Sequence, residues 1–137
     1  MVEMKLSKIV ITETLGQNVI VLQEADGERS FPILIGPYEA LAIRRGVREE
    51  TLPRPQTHDL LASVIAALCD GIDRVEVTEL RNHTFHAKLI LRRDGELIEI
   101  DSRPSDAIAL AVAAKRPIHC DESVLDEVAS QPPDEDA

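Results

Sequence analysis

From Ala107 to Ala114 the chain reads Ala-Ile-Ala-Leu-Ala-Val-Ala-Ala without a charge, shortly after Pro104, and no other segment limits the possible folds so strongly. Proline is favoured at the first position of a helix, and a helix with no solvated face needs cover on more than one side. A central buried helix over 104–115 is therefore expected. Its cover is visible upstream. Residues 75–80, 85–91 and 97–100 alternate apolar and polar side chains and are separated by Asn82-His83 and Asp94-Gly95, residues suited to tight turns. The first half has the same order. Strands are expected over 5–14, 17–24 and 29–35, with turns at Leu15-Gly16 and Asp26-Gly27, before Gly36-Pro37 opens a helix to about Arg45. The run Glu39-Ala40-Leu41-Ala42-Ile43 in this helix is echoed by Asp106-Ala107-Ile108-Ala109-Leu110. The expected fold class is α+β, with two antiparallel β-meanders each followed by a helix and a duplicated β-β-β-α unit.

Between the halves, Thr57 reads as the N-cap of a helix in which Leu60, Leu61, Val64, Ile65 and Leu68 recur at three- and four-residue spacing. One buried face is expected for it. A short strand over 117–120 and a helix over 122–129 would complete a single domain, residues 1–129. Residues 130–137, rich in Pro and acids, are expected to form a disordered acidic tail.

Composition narrows the function. Phe31, Tyr38 and Phe85 are the only aromatic residues, so stacking platforms for single-stranded bases are scarce and RRM-like or OB-like readers are disfavoured. Cys69 and Cys120 form no C-x-x-C pair, which gives a disulfide framework or zinc knuckle no support. Without an apolar leader or a run of the ~20 apolar residues needed to span a bilayer, a cytoplasmic location with no membrane partner is expected. The net charge of −10 argues against binding nucleic acid chiefly by counterion release. Much of that acidity lies beyond residue 120, however, where seven acids face no Lys or Arg. The densest basic stretch, Arg44, Arg45, Arg48 and Arg54, reads as a solvated loop.

Phosphate-loop, dinucleotide, zincin and nucleophile-elbow motifs are absent. His83 and His86 would fall on opposite strand faces, a poor chelating pair. What remains is an acid in the first turn of each of three helices: Glu39, Asp59 and Asp106. Such acids offset the helix dipole by about 0.3–1 kcal/mol, and capping explains each one alone. Gathered together with Asp101, they could hold Mg²⁺ or Mn²⁺, which take oxygen ligands and activate water. Ser102, Arg103 and Ser105 around one helix start, and Arg54 ahead of His58-Asp59 at another, have the chemistry of phosphate contacts. The structural alternative is that Ser102 or Arg103 caps its helix while Arg103 pairs with Asp101 or Asp106.

Three blocks carry a family resemblance: Ile35-Gly36-Pro37-Tyr38-Glu39-Ala40, Arg54-Pro55-Gln56-Thr57-His58-Asp59-Leu60-Leu61 and Ser102-Arg103-Pro104-Ser105-Asp106-Ala107-Ile108-Ala109-Leu110. In content and order they resemble the bifunctional nuclease family over about residues 5–128. The resemblance implies an α+β domain, often self-associating, in a family whose plant members cleave RNA and DNA. The expectation is a metal-dependent nuclease with catalytic His58, Asp59 and Asp106, phosphate contacts from Arg54, Arg103, Ser102 and Ser105, and Mg²⁺ or Mn²⁺ on Glu39, Asp59, Asp101 and Asp106. A homodimer or other homo-oligomer is expected. The alternative is a non-catalytic oligomeric binding or regulatory module with the same fold.

Overall fold

A computed structural model describes residues 1–12 and 16–130. The tail expected at 130–137 lies outside the described residues apart from Ser130, as does the Leu15 half of the first turn. Strands β1 (Val2–Ile11), β2 (Asn18–Glu24) and β3 (Ser30–Ile35) form one antiparallel meander. Helices α1 (Pro37–Arg48) and α2 (Thr57–Leu68) follow. Strands β4 (Gly71–Arg81), β5 (Thr84–Arg93) and β6 (Glu96–Ser102) repeat the meander, and α3 (Pro104–Ala114) repeats α1. A short β7 (Ile118–Cys120) and α4 (Glu122–Ser130) complete the described fold.

All seven described strands join one sheet in the order β3-β2-β1-β7-β4-β5-β6. Strand β7 joins the meanders, antiparallel to β1 and parallel to β4. The α+β class and the repeated β-β-β-α order are therefore as expected. The sheet is not flat. Phe31 on β3 stacks on Phe85 of β5 with ring centroids 5.3 Å apart, although five strand spacings would separate them by roughly 24 Å in a flat sheet. At that end the sheet must curl.

Turn chemistry follows the sequence where φ demands it. Asn82 and His83 both have positive φ, as do Asp94 and Gly95, the left-handed pair a two-residue hairpin requires. The Asp26-Gly27 turn is looser than expected, with a connection running from Ala25 to Arg29.

Helix α3 is central: Ala107, Ile108, Ala109, Leu110 and Ala111 are all buried. It packs along α1 so closely that a Cβ on Gly46 would lie 3.3 Å from Val112 and 3.4 Å from the Ala113 nitrogen. Both helices end in a left-handed residue, Glu49 and Lys115, and these two side chains pair at 2.7 Å. Helix α2 departs from expectation. None of its residues is buried, and Leu60, Leu61, Val64 and Leu68 are exposed. Spacing established an apolar stripe but not a neighbour to cover it. Its N-cap is also Gln56 rather than Thr57, because Gln56 forms a reciprocal capping box with Asp59.

Candidate functional site

The three helix starts carry an acid at the same place, the third helical position, but use it differently. Asp59 caps its own helix, its Oδ2 accepting the Gln56 backbone N–H at 2.8 Å. Glu39 instead turns to a side chain of another segment, and Asp106 divides its two oxygens between another segment and the N-cap residue of its own helix. Asp106 Oδ1 lies 2.9 Å from His58 Nε2, and Asp106 Oδ2 accepts from Arg103 Nε at 2.8 Å. Arg103 Nη2 donates to Glu39 Oε1 at 2.8 Å. Arg103 is the N-cap residue of α3 but makes no side-chain cap hydrogen bond there. His58, Asp106, Arg103 and Glu39 thus form one continuous polar chain where the N-termini of α1, α2 and α3 meet.

Burial works to raise the Asp106 carboxyl, but hydrogen bonds from Arg103 and His58 outweigh it and hold the group below its ordinary range. Asp106 is therefore an acceptor at neutral pH, and His58 Nε2 carries the shared proton. Because the folded value is lowered, this carboxylate adds stability above its unfolded value near ~4, and that stability is lost as pH falls through the folded value. Asp106 and then Glu39 stabilise the Arg103 cation. The His58 side chain is 15% exposed and that of Arg103 64%, so the imidazole is sheltered while the guanidinium faces water. Arg103 Nη1 has no partner among the described residues.

Gly36 serves this arrangement through its missing side chain. Its φ of −73° suits any residue, but a Cβ there would stand 2.2 Å from Glu39 Oε2. Gly36→Ala should therefore drive Glu39 off Arg103. Because Arg103 is mostly exposed, the cost should not exceed about 1 kcal/mol. Urea unfolding of Gly36→Ala, Glu39→Gln and the double variant checks both size and cause: the second substitution should add almost nothing to the first.

His58 and Asp59 also line a cleft of about 340 Å³ bordered by Arg45, Gly46, Thr51 and Leu110. Arg45 has no carboxylate within ion-pair reach among the described residues. It was legible only as part of a basic run; the extension of α1 to Arg48 puts it on the helix wall of this cleft.

The other expected site residues lie apart from the polar chain. Asp101 is exposed on the edge strand β6, in register with Lys88 of β5. Arg54 is exposed, and its carbonyl accepts from Gln56 Nε2 at 3.1 Å. Ser102 Oγ donates to the Arg103 carbonyl at 2.8 Å, and Ser105 is buried. Among the described residues, no group of three or more His, Cys, Asp and Glu is arranged to hold a metal ion. Glu39 and Asp106 are joined by a guanidinium where a shared cation would sit. As placed, Glu39, Asp59, Asp101 and Asp106 do not fit an oxygen cage for Mg²⁺ or Mn²⁺. No described helix is long and apolar enough to cross a membrane.

Comparison with known sequences matches residues 20–133 to the bifunctional nuclease domain. An uncharacterized protein of Mycobacterium tuberculosis is 38% identical over 133 residues, covering 97% of this chain and 79% of that protein. Bifunctional nuclease 2 of Oryza sativa subsp. japonica is 30% identical over 118 residues, 83% of this chain but 36% of the rice protein. Bifunctional nuclease 1 of the same plant is 26% identical over 112 residues, 79% of this chain and 34% of the relative. The chain thus spans about a third of the length of these two rice proteins.

Proposed function

Because the chain belongs to the bifunctional nuclease domain family, we propose that it cleaves phosphodiester bonds of RNA or DNA at the junction of its three helix N-termini. The observation that carries this reading is the 2.9 Å contact between His58 Nε2 and Asp106 beside a cleft. With Nε2–H donated to the ionised Asp106 carboxylate, the neutral tautomer of His58 has its lone pair on Nδ1, which can take a proton from an attacking hydroxyl or water. Arg103 offers Nη1 to a phosphate oxygen while Nε and Nη2 hold it in place. The converging helix N-termini favour the same anion.

The direct test is cleavage of single-stranded RNA and single-stranded DNA by the purified protein, with His58→Gln as the control for contaminating nuclease. Chelation is a separate arm. Cleavage that chelation leaves intact would fit the imidazole reading, whereas cleavage abolished by it would assign the chemistry to a Mg²⁺ or Mn²⁺ ion. Absence of cleavage above the control with any divalent cation would favour the non-catalytic oligomeric module.

The surface of α2 supports self-association in either case. Leu60 and Leu68 are 59% and 66% exposed, with Leu61, Val64 and the preceding Leu52 also open to water. An apolar stripe of that kind usually marks an interface. The protein should therefore scatter light with a mass near twice 15.1 kDa. Leu60→Ser with Leu68→Ser should restore the single-chain mass without loss of the thermal transition, since neither side chain is buried within one chain. A wild-type mass of 15.1 kDa would remove the dimer.

A further inference from the structure

We infer that the groove between β1 and the outer side of α1 is a track for the phosphodiester backbone of a single-stranded nucleic acid, leading towards the His58 cleft; this deepens the nuclease reading and rests on it. The groove encloses about 390 Å³ and is lined by Lys8, Arg44 and Arg48, the last paired with Glu50 at 3.7 Å, together with Leu6, Ile9 and Val47. Its shape begins with a β-bulge. The register of β1 against β2 slips between Leu6 and Lys8, leaving Ser7 as an extra residue and putting both Ser7 and Lys8 at the groove. Arg44 and Arg48, one helical turn apart on α1, meet it from the other side.

The charge pattern sets this groove apart. Acids outnumber bases 25 to 15 in this chain, and most cations are held by a carboxylate. Arg116 is held instead by the Asp73 carbonyl. Among the described residues, Lys5, Lys8, Arg44, Arg45 and Arg54 have no carboxylate within ion-pair reach. Lys8 and Arg44 lie in this groove, and Arg45 lies in the His58 cleft on the other side of the same helix. The helix dipole accounts for basic residues in the last turn of α1, but not for Lys8 on a strand facing them. Uncompensated cations flanking one helix of an acidic protein fit a repeating anion that passes over that helix. No aromatic side chain lines either cleft, so the contact is to phosphates rather than stacked bases.

The test is fluorescence anisotropy with a short labelled single-stranded RNA, measured at two salt concentrations differing fourfold. It compares His58→Gln with His58→Gln carrying Lys8→Gln and Arg44→Gln, so that no substrate is consumed. Each cation removed from the phosphate track should lower the salt slope by about 0.7, so the fourfold salt increase should weaken the groove variant about sevenfold less than its parent. The groove variant should also bind more weakly at low salt, with an unchanged thermal transition. Equal affinity and equal slope would overturn the proposal, as would preferential binding of both proteins to vesicles of anionic lipid over RNA. Binding through the groove by a wild type that never cleaves would leave the track standing and remove the nuclease reading. Cleavage with groove-independent binding would do the reverse.

Discussion

Ile108→Asp should abolish the cooperative folded state. Ile108 is fully buried in α3, a helix that packs against α1 and strands β4 and β5, and the surrounding side chains of α3 are themselves aliphatic. A carboxylate there would find no cation and no donor, because the helix spends its backbone N–H groups on its own carbonyls. Burying an unpaired charge costs several kcal/mol even after the group shifts to its neutral form, and the missing packing of the Ile side chain adds about 2–5 kcal/mol. A domain typically has only about 5–15 kcal/mol of stability in total. The expected result is no sigmoidal thermal transition by circular dichroism, or expression only as aggregate. Ile108→Val, which removes a single methylene, should cost about 0.5–1.5 kcal/mol and keep the transition. A well-folded Ile108→Asp protein would show that α3 is peripheral in solution.

His58→Gln should lower phosphodiester cleavage by about 10²–10⁴-fold while leaving RNA binding nearly unchanged, since a positioned general base contributes on that scale to the chemical step. Asp106→Asn should cause a loss of similar order for a different reason. Its amide can donate towards His58 Nε2, which would favour the tautomer that puts the proton on Nδ1 and removes the lone pair the reaction needs. Asp106→Asn also weakens the hold on Arg103, so it should affect binding where His58→Gln does not. The pair is read by separating kcat from KM at pH 7. Cleavage by His58→Gln at the wild-type rate, from a preparation free of other nucleases, would exclude the imidazole as base.

Some residues of the candidate site were legible because helix starts can be recognised in sequence. Gly36-Pro37 and Arg103-Pro104 mark two of them, and the first-turn acids Glu39 and Asp106 follow from counting. Whether such an acid caps its own helix or reaches a neighbour is not a local property. Asp59 bonds Gln56, three residues away, whereas Glu39 bonds Arg103 across 64 positions of sequence. The role of Gly36 was hidden for the same reason, since its φ is ordinary and its need appears only beside the Glu39 carboxylate.

The order of residues alone dictates the elements that local physics controls. The uncharged run after Pro104 had to be buried, Asn82-His83 and Asp94-Gly95 had to supply positive φ, and alternating aliphatic residues had to pleat into two meanders. These outcomes depend on interactions between near neighbours or on the cost of exposing apolar surface, so spacing and composition reveal them. It took the folded chain to establish that β7 joins the two meanders, that α2 leaves its leucines in water, and that Arg103 stands between Glu39 and Asp106. Those outcomes turn on long-range packing geometry, in which ion pairs and helix cover depend on a few ångströms that no periodicity encodes.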